Sequence, residues 1–311
     1  MSQPDHPTAI DASLAPDGRF DEALKRVSFE PGMMLGVEAT RAEQDYHRRR
    51  HTRHAYWLHG AGTVVGLRVD KDALDPGDDT TTARTRLVIR PGVGIDGLGR
   101  EVSVFEPYCI DLGAWLTSQH ADAAAWGALI ENGYDGAANL LWLAVTMRYQ
   151  DNPSGLQPKL ATDVNAGTDP VGPSRMQDSV LYELVAARPT DASTRVHPFA
   201  AHNGLPTLAQ ASAGLAPEEQ ARLDGASGAA RSQLELGVRL LHALGDDNQA
   251  LNTRETFSRG VAELARTPLA SVAIRLTETR DLIVNPRRIV VDNLARPFVF
   301  NASTLALLLR P

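Results

Sequence analysis

PGVGIDGLGREVSVF, residues 91–105, decides the fold. Gly92, Gly94 and Gly97 match the spacing of a dinucleotide-binding loop, and Asp111 falls in the general range of the acidic residue such a loop uses downstream. That chemistry requires a helix directly after the glycines, so that its N-terminus meets the pyrophosphate. Here Leu98 and Gly99 lead instead into Arg100-Glu101-Val102-Ser103-Val104, which alternates as a half-buried strand does. Gly92, Gly94 and Gly97 therefore predict positive φ angles at a hairpin or corner centred on Asp96-Gly97, with Gly94, Asp96, Gly97 and Gly99 as the structural turn. Asp96 is expected to bond the turn backbone, and Glu101 to pair with Arg100 or Arg90 at the sheet surface. No cofactor is expected.

Outward from this hairpin, β-branched runs at residues 63–69, 86–90 and 100–105 are separated by turn signals such as Asp75-Pro76-Gly77-Asp78, and they predict a small antiparallel sheet. NLLWLAVTMR, residues 139–148, is nearly continuously apolar and predicts a central strand covered on both faces. Residues 151–174 read as a long exposed loop, after which SVLYELVAA, residues 179–187, resumes strand character. Further strand patterns occur at 271–276, 281–284 and 288–291.

Helical patterns surround these strands. EATRAEQDYHRRRHTRHAYWLH, residues 38–59, holds no Gly or Pro and is stopped by Gly60 and Gly62. Residues 112–131 are alanine-rich, with Trp115, Leu116, Trp126 and Leu129 at helical spacing, ending near Asn132-Gly133. Residues 206–265 read as helical, with a start at Ala216-Pro217-Glu218-Glu219 and with Leu234, Val238, Leu241 and Leu244 at three- and four-residue steps. A short helix is predicted at 304–309. The expected fold class is α+β, with antiparallel β-rich core regions, a long N-terminal helix and a helical segment in the C-terminal half. The expected organisation is a flexible arm over 1–20, a helix plus antiparallel β domain over 21–190, a helical segment over 191–266, and a β-containing region over 267–311 that can pack on the first domain.

Composition bounds the function. The 311 residues are 43% hydrophobic and 22% charged, an ordinary globular balance. A net charge of -7 disfavours nucleic acid or an anionic membrane as the main partner. One cysteine, Cys109, forms no intramolecular disulfide and lies among Val104, Tyr108 and Ile110 in a segment read as packed strand, which fits synthesis in a reducing cytoplasm. Residues 1–19 lack the apolar stretch of a signal peptide, and no later run approaches a membrane span. A route out of the cell is then expected only inside a larger particle.

The first helix carries the candidate sites. His47, His51 and His54 share one stripe and could hold an ion, but Arg48, Arg49, Arg50 and Arg53 surround them, so packing is the favoured role. Tyr46, Arg50, Arg53 and Trp57 form a second stripe of the residue types enriched at protein interfaces. No GxSxG elbow, HExxH or P-loop occurs, and Cys109 has no nearby histidine, so no catalytic residue and no enzymatic activity are expected.

Four blocks in order carry a resemblance: Phe29-Glu30-Pro31-Gly32-Met33-Met34-Leu35, Glu43-Gln44-Asp45-Tyr46-His47, His59-Gly60-Ala61-Gly62-Thr63-Val64-Val65-Gly66-Leu67, and Pro91 through Glu101. Residues 28–105 resemble proteins encoded with extracellular contractile injection systems and, more distantly, N-terminal modules of phage tail and baseplate proteins. The resemblance implies a structural or adaptor part of a symmetric particle, docked to baseplate, tube or sheath neighbours, with homo-oligomerisation and no catalytic residues. Two alternatives stay open. One is a cargo or effector with an active site built from residues such as Asp178, Glu183, Arg275 and Asp292; the other is a metal-dependent binding module using the histidine stripe.

Overall fold

The computed structural model describes residues 23–73, 78, 80, 82–158, 171–188, 206–242, 265–277 and 282–300. The predicted arm over 1–20 and terminal helix over 304–309 lie outside these residues, as do 159–170 of the predicted loop and 191–205 and 243–264 of the predicted helical segment. The chain is α+β, as expected, and divides into two compact units.

The first unit is built from sheets. Strands β1 (Gly62–Gly66), β4 (Gly92–Ile95) and β5 (Glu101–Val104) form one sheet in the order β1-β4-β5. Strands β2 (Val69–Ala73), β3 (Thr85–Ile89) and β6 (Tyr108–Asp111) form a second, in the order β2-β3-β6. The third joins β11 (Ile289–Asp292), β10 (Thr267–Arg275), β8 (Leu140–Pro158) and β7 (Tyr134–Asp135) in that order, with β9 (Val171–Ala186) also paired to β8. All these strand pairs are antiparallel. β10 and β11 therefore extend the sheet that contains β8.

The core gathers Leu67, Val69, Leu87, Ile89, Leu112, Leu116, Leu141, Leu143, Val145, Met147, Leu269, Val272 and Ile274. On β8 only one face is fully buried, through Leu141, Leu143, Val145 and Met147, while Leu140, Trp142 and Ala144 are half-buried. The strand covered on both faces is β10, whose Leu269 to Ile274 are all buried. Its second face carries the small side chains of Ser271 and Ala273, which let that face be covered closely.

The runs at 63–69, 86–90 and 100–105 fall in two sheets and not one, and further expectations are corrected in this unit. Residues 112–131 make two helices, α2 (Leu112–Ala121) and α3 (Ala123–Gly133), because Asp122 is extended and its carboxylate caps α3 through the Ala124 and Ala125 N–H groups at 2.9 and 3.2 Å. The predicted loop begins and ends as strand: β8 and β9 pair from Leu143↔Ala186 to Pro158↔Val171. Residues 282–284 form no strand. The Val284 carbonyl accepts the Ala83 N–H at 2.8 Å, and Asn285 then caps a single 3-10 turn at Pro286–Arg288.

The second unit is helical among its described residues: α1 (Val37–His59), α4 (Leu208–Ser212), α5 (Pro217–Asp224) and α6 (Gly228–Leu241). Helix α1 thus groups with α4–α6, not with the sheets. It runs for 23 residues because nothing in it breaks a helix, and it stops where Gly60 takes φ 73°. Within the segment read as helical, the described residues form three separate helices, and the start expected at Ala216-Pro217 is the N-terminus of α5. Thr207 and Gln210 form a capping box for α4, and Pro217 with the Glu219 carboxylate on the Ala216 N–H opens α5.

Candidate functional site

Positions 46, 50, 53 and 57 advance by four, three and four residues, so Tyr46, Arg50, Arg53 and Trp57 fall on one stripe of α1. They line an open cleft of about 470 Å³ together with Leu24 and His54. Arg50 Nη1 donates to Tyr46 Oη at 3.3 Å, and the Tyr46 ring meets His47 edge-on with centroids 5.3 Å apart. At the other end Trp57 meets Tyr56 edge-on at 5.0 Å.

Glu43 holds the segment that supplies Leu24. Its Oε2 accepts the Val27 N–H at 3.1 Å and its Oε1 pairs with His47 Nε2 at 3.0 Å. One carboxylate thereby anchors the preceding chain to the helix one turn before the cleft begins. The helical stripe was visible as spacing; Leu24 and the Glu43 clamp were not, because a contact sixteen residues away leaves no local period. Chemically the cleft offers two guanidinium groups, an imidazole, two aromatic faces and one aliphatic wall, a set suited to holding a polypeptide side-on.

The histidine stripe does not converge. His47 pairs with Glu43, His54 packs edge-on against His59 at 5.7 Å, and His51 is exposed. Among the described residues no group of three or more His, Cys, Asp or Glu side chains is placed to hold a metal ion.

In the sheet unit the glycine hairpin forms between β4 and β5. Gly99 takes φ 84°, as a turn glycine does, but Gly92, Gly94 and Gly97 do not take the positive φ expected of them, and Gly94 sits within β4 for a different reason. A Cβ there would stand 3.0 Å from the Gly62 carbonyl oxygen and would also meet the Met147 side chain, so Gly94 provides close approach and not a left-handed angle. Asp96 lies wholly buried at the centre of the turn. Its Oδ1 accepts the N–H groups of Leu98 and Arg100 at 3.0 and 2.9 Å, and its Oδ2 accepts Arg100 Nε at 2.8 Å. The Gly97 N–H donates to the Ala265 carbonyl at 2.9 Å, tying the turn to the chain just before β10. Glu101 pairs with neither expected arginine: it accepts Ser103 Oγ at 3.0 Å, Arg100 turns inward to Asp96, and Arg90 pairs with Asp70 at 2.7 Å. Asp111 caps α2 through the Ala114 N–H at 3.0 Å, and Cys109 is exposed on β6, outside the core expected for it.

The four residues of the alternative enzymatic site, Asp178, Glu183, Arg275 and Asp292, do not converge. Asp178 bonds Tyr149 Oη at 2.6 Å, Glu183 pairs with Arg266 and Arg148 at 3.0 and 3.1 Å, and Asp292 accepts the Leu294 N–H at 2.8 Å. Arg275 stands opposite Leu140 while Glu183 stands opposite Thr146, a separation along β8 of about 20 Å at roughly 3.3 Å per residue. Among the described residues no helix is long and apolar enough to cross a membrane. Comparison with protein-family models and with curated proteins found no match to this chain.

Proposed function

We propose that the chain is a non-enzymatic docking component of a contractile, phage-tail-like injection particle, made in the bacterial cytoplasm and engaging baseplate, tube or sheath neighbours through the α1 cleft. The observation that carries this reading is the cleft itself: Tyr46, Arg50, Arg53 and Trp57 share it with Leu24 and His54, and Tyr, Trp and Arg are the residues that dominate binding energy at protein interfaces. The ordered blocks over residues 28–105 supply the particle context, and one of them contains Tyr46 together with Glu43, the residue that anchors the cleft's second wall. A repeated subunit of a symmetric particle would also contact copies of itself.

The test is affinity purification of the native chain and of the Tyr46→Ala/Trp57→Ala variant from their own cells, with identification of co-purified subunits and electron microscopy of the eluate. Wild-type chain is expected to bring down sheath, tube or baseplate proteins in fixed ratio. The variant is expected to keep its fold and lose them, because the rings of Tyr46 and Trp57 are only half-buried. Equal recovery by both chains, or recovery of the wild-type chain alone as a small oligomer, would overturn the assignment.

A further inference from the structure

We infer that the occupant of the α1 cleft is an acidic peptide segment, presenting carboxylates beside an apolar or aromatic side chain; the inference rests on the docking role proposed above. Its first support is charge. The cleft is walled by Arg50, Arg53, His54, Tyr46, Trp57 and Leu24, and none of these is a carboxylate. The acid one turn away, Glu43, is already held by the Val27 N–H and His47. Exposed Arg50 has a neutral partner, the Tyr46 hydroxyl, so its positive charge is not compensated by that bond. A guanidinium in this state presents the rest of its donor fork to a carboxylate, the geometry it matches best.

Shape supplies the second support. Tyr46 and Trp57 stand eleven residues apart on α1, which is about 16 Å along the axis at roughly 1.5 Å per residue. An extended chain at about 3.3 Å per residue covers that length with roughly five residues. A lone inorganic anion would leave the aromatic walls and Leu24 unused in a space of about 470 Å³. A nucleic acid strand would need a basic footprint well beyond one cleft, and α1 also carries Glu38, Glu43 and Asp45 within a chain of net charge -7. That net charge does not prevent local attraction, because fields from charges beyond about 8 Å are largely screened at physiological salt.

The experiment titrates the full-length chain against a short labelled peptide rich in Asp and Glu with one leucine, read by fluorescence anisotropy. Its controls are the same peptide with Asn and Gln in place of the acids, and a single-stranded oligonucleotide of equal length. The expected result is saturable binding of the acidic peptide, weakened at least about tenfold by Arg50→Glu, by a smaller factor in Arg50→Gln, and progressively by salt. The exposed position of Arg50 leaves the fold intact in both variants, which circular dichroism checks. Absence of saturable binding, equal binding of the neutral peptide, tighter binding of the oligonucleotide, or indifference to Arg50→Glu overturns the inference. Should the peptide fail while Tyr46→Ala/Trp57→Ala still abolishes co-purification, only the acidic character of the occupant falls; should co-purification survive that variant, the docking role itself falls.

Discussion

Asp96 accepts the backbone N–H of Tyr149 on Oδ2 at 3.2 Å, across 53 residues of sequence. Tyr149 lies two residues past Met147, the point where β8 leaves its last partner on β10, so the carboxylate takes a donor that the ladder no longer serves. The same residue's ring stacks under the Arg100 guanidinium, with 5.0 Å from its carbon to the ring centroid. One buried turn therefore closes its own hairpin and takes up a β8 donor just beyond the end of the β8–β10 pairing.

Replacing Asp96 with Ala is expected to destabilise the sheet unit by about 3–5 kcal/mol, because the buried Arg100 guanidinium, 4% exposed, loses the carboxylate 2.6 Å away. Arg100→Met should cost less, since three backbone N–H groups still serve the Asp96 carboxylate. Urea denaturation of both single variants and the double variant measures the coupling; equal losses in the two singles would contradict this asymmetry.

Asp151 and Asp178 face each other across the β8–β9 ribbon, and Tyr149 Oη lies 2.7 and 2.6 Å from their Oδ1 atoms. Tyr149→Phe should cost about 1 kcal/mol and speed amide exchange in residues 149–152 and 177–180. Burial first, then the hydrogen bonds and charges of the two aspartates, raise the Tyr149 hydroxyl far above its ordinary value. Its contribution to stability is complete below about pH 10 and declines as pH rises through the folded-state value. Tyrosinate absorbance should show Tyr149 ionising after Tyr56 and Tyr182, which burial pushes up to about 12, and Tyr149→Phe should remove that latest phase.

Burial acts to raise the Glu183 carboxyl, but the hydrogen bonds and charge of Arg266, together with those of Arg148, outweigh it and hold the group below its usual range. A depressed folded-state value contributes stability above the unfolded value of about 4.3, and that contribution is lost as pH falls through the folded-state value. Glu183→Gln should thus be less stable than wild type at neutral pH, with the gap closing in acid. Thermal melts between neutral and strongly acidic pH provide the comparison, and a constant gap would refute the ion-pair origin.

Gly66→Ala and Gly127→Ala should move stability in opposite directions. Gly66 has φ 69°, and a Cβ there would meet the Pro91 carbonyl oxygen at 2.3 Å, so strain of about 1–3 kcal/mol or more is expected. Gly127 lies in α3 with nothing within 4 Å, so alanine should add about 0.5–1 kcal/mol by helix propensity. Melting temperatures of the two variants decide.

The cleft shows how far local reasoning reaches. The spacing of Tyr46, Arg50, Arg53 and Trp57 was readable because a helix free of Gly and Pro imposes its own period. The segment that carries Leu24 is tied to α1 by the Val27 N–H on Glu43, and a tether of that kind follows no period. The β8–β9 ribbon was misread for the converse reason. Pro153, Gly155, Gly172 and Pro173 are local turn signals, yet pairing between facing strands satisfies that backbone, with Ser174 Oγ donating to the Gly155 carbonyl at 2.6 Å.

What the sequence determined by itself was the α+β class, the extent of α1, and the Asp96 turn, all set by interactions within a few residues of chain. Tertiary structure alone decided which strands became neighbours: β10 enters between β8 and β11, and the Asn293 side chain pairs with the Val69 backbone through its Oδ1 and Nδ2 at 2.8 and 2.9 Å. Arg296 likewise reaches back to the Leu67 carbonyl at 2.8 Å. Such choices depend on burying apolar faces and pairing enclosed polar groups between segments far apart in the chain, and no local pattern records which distant partner does so best.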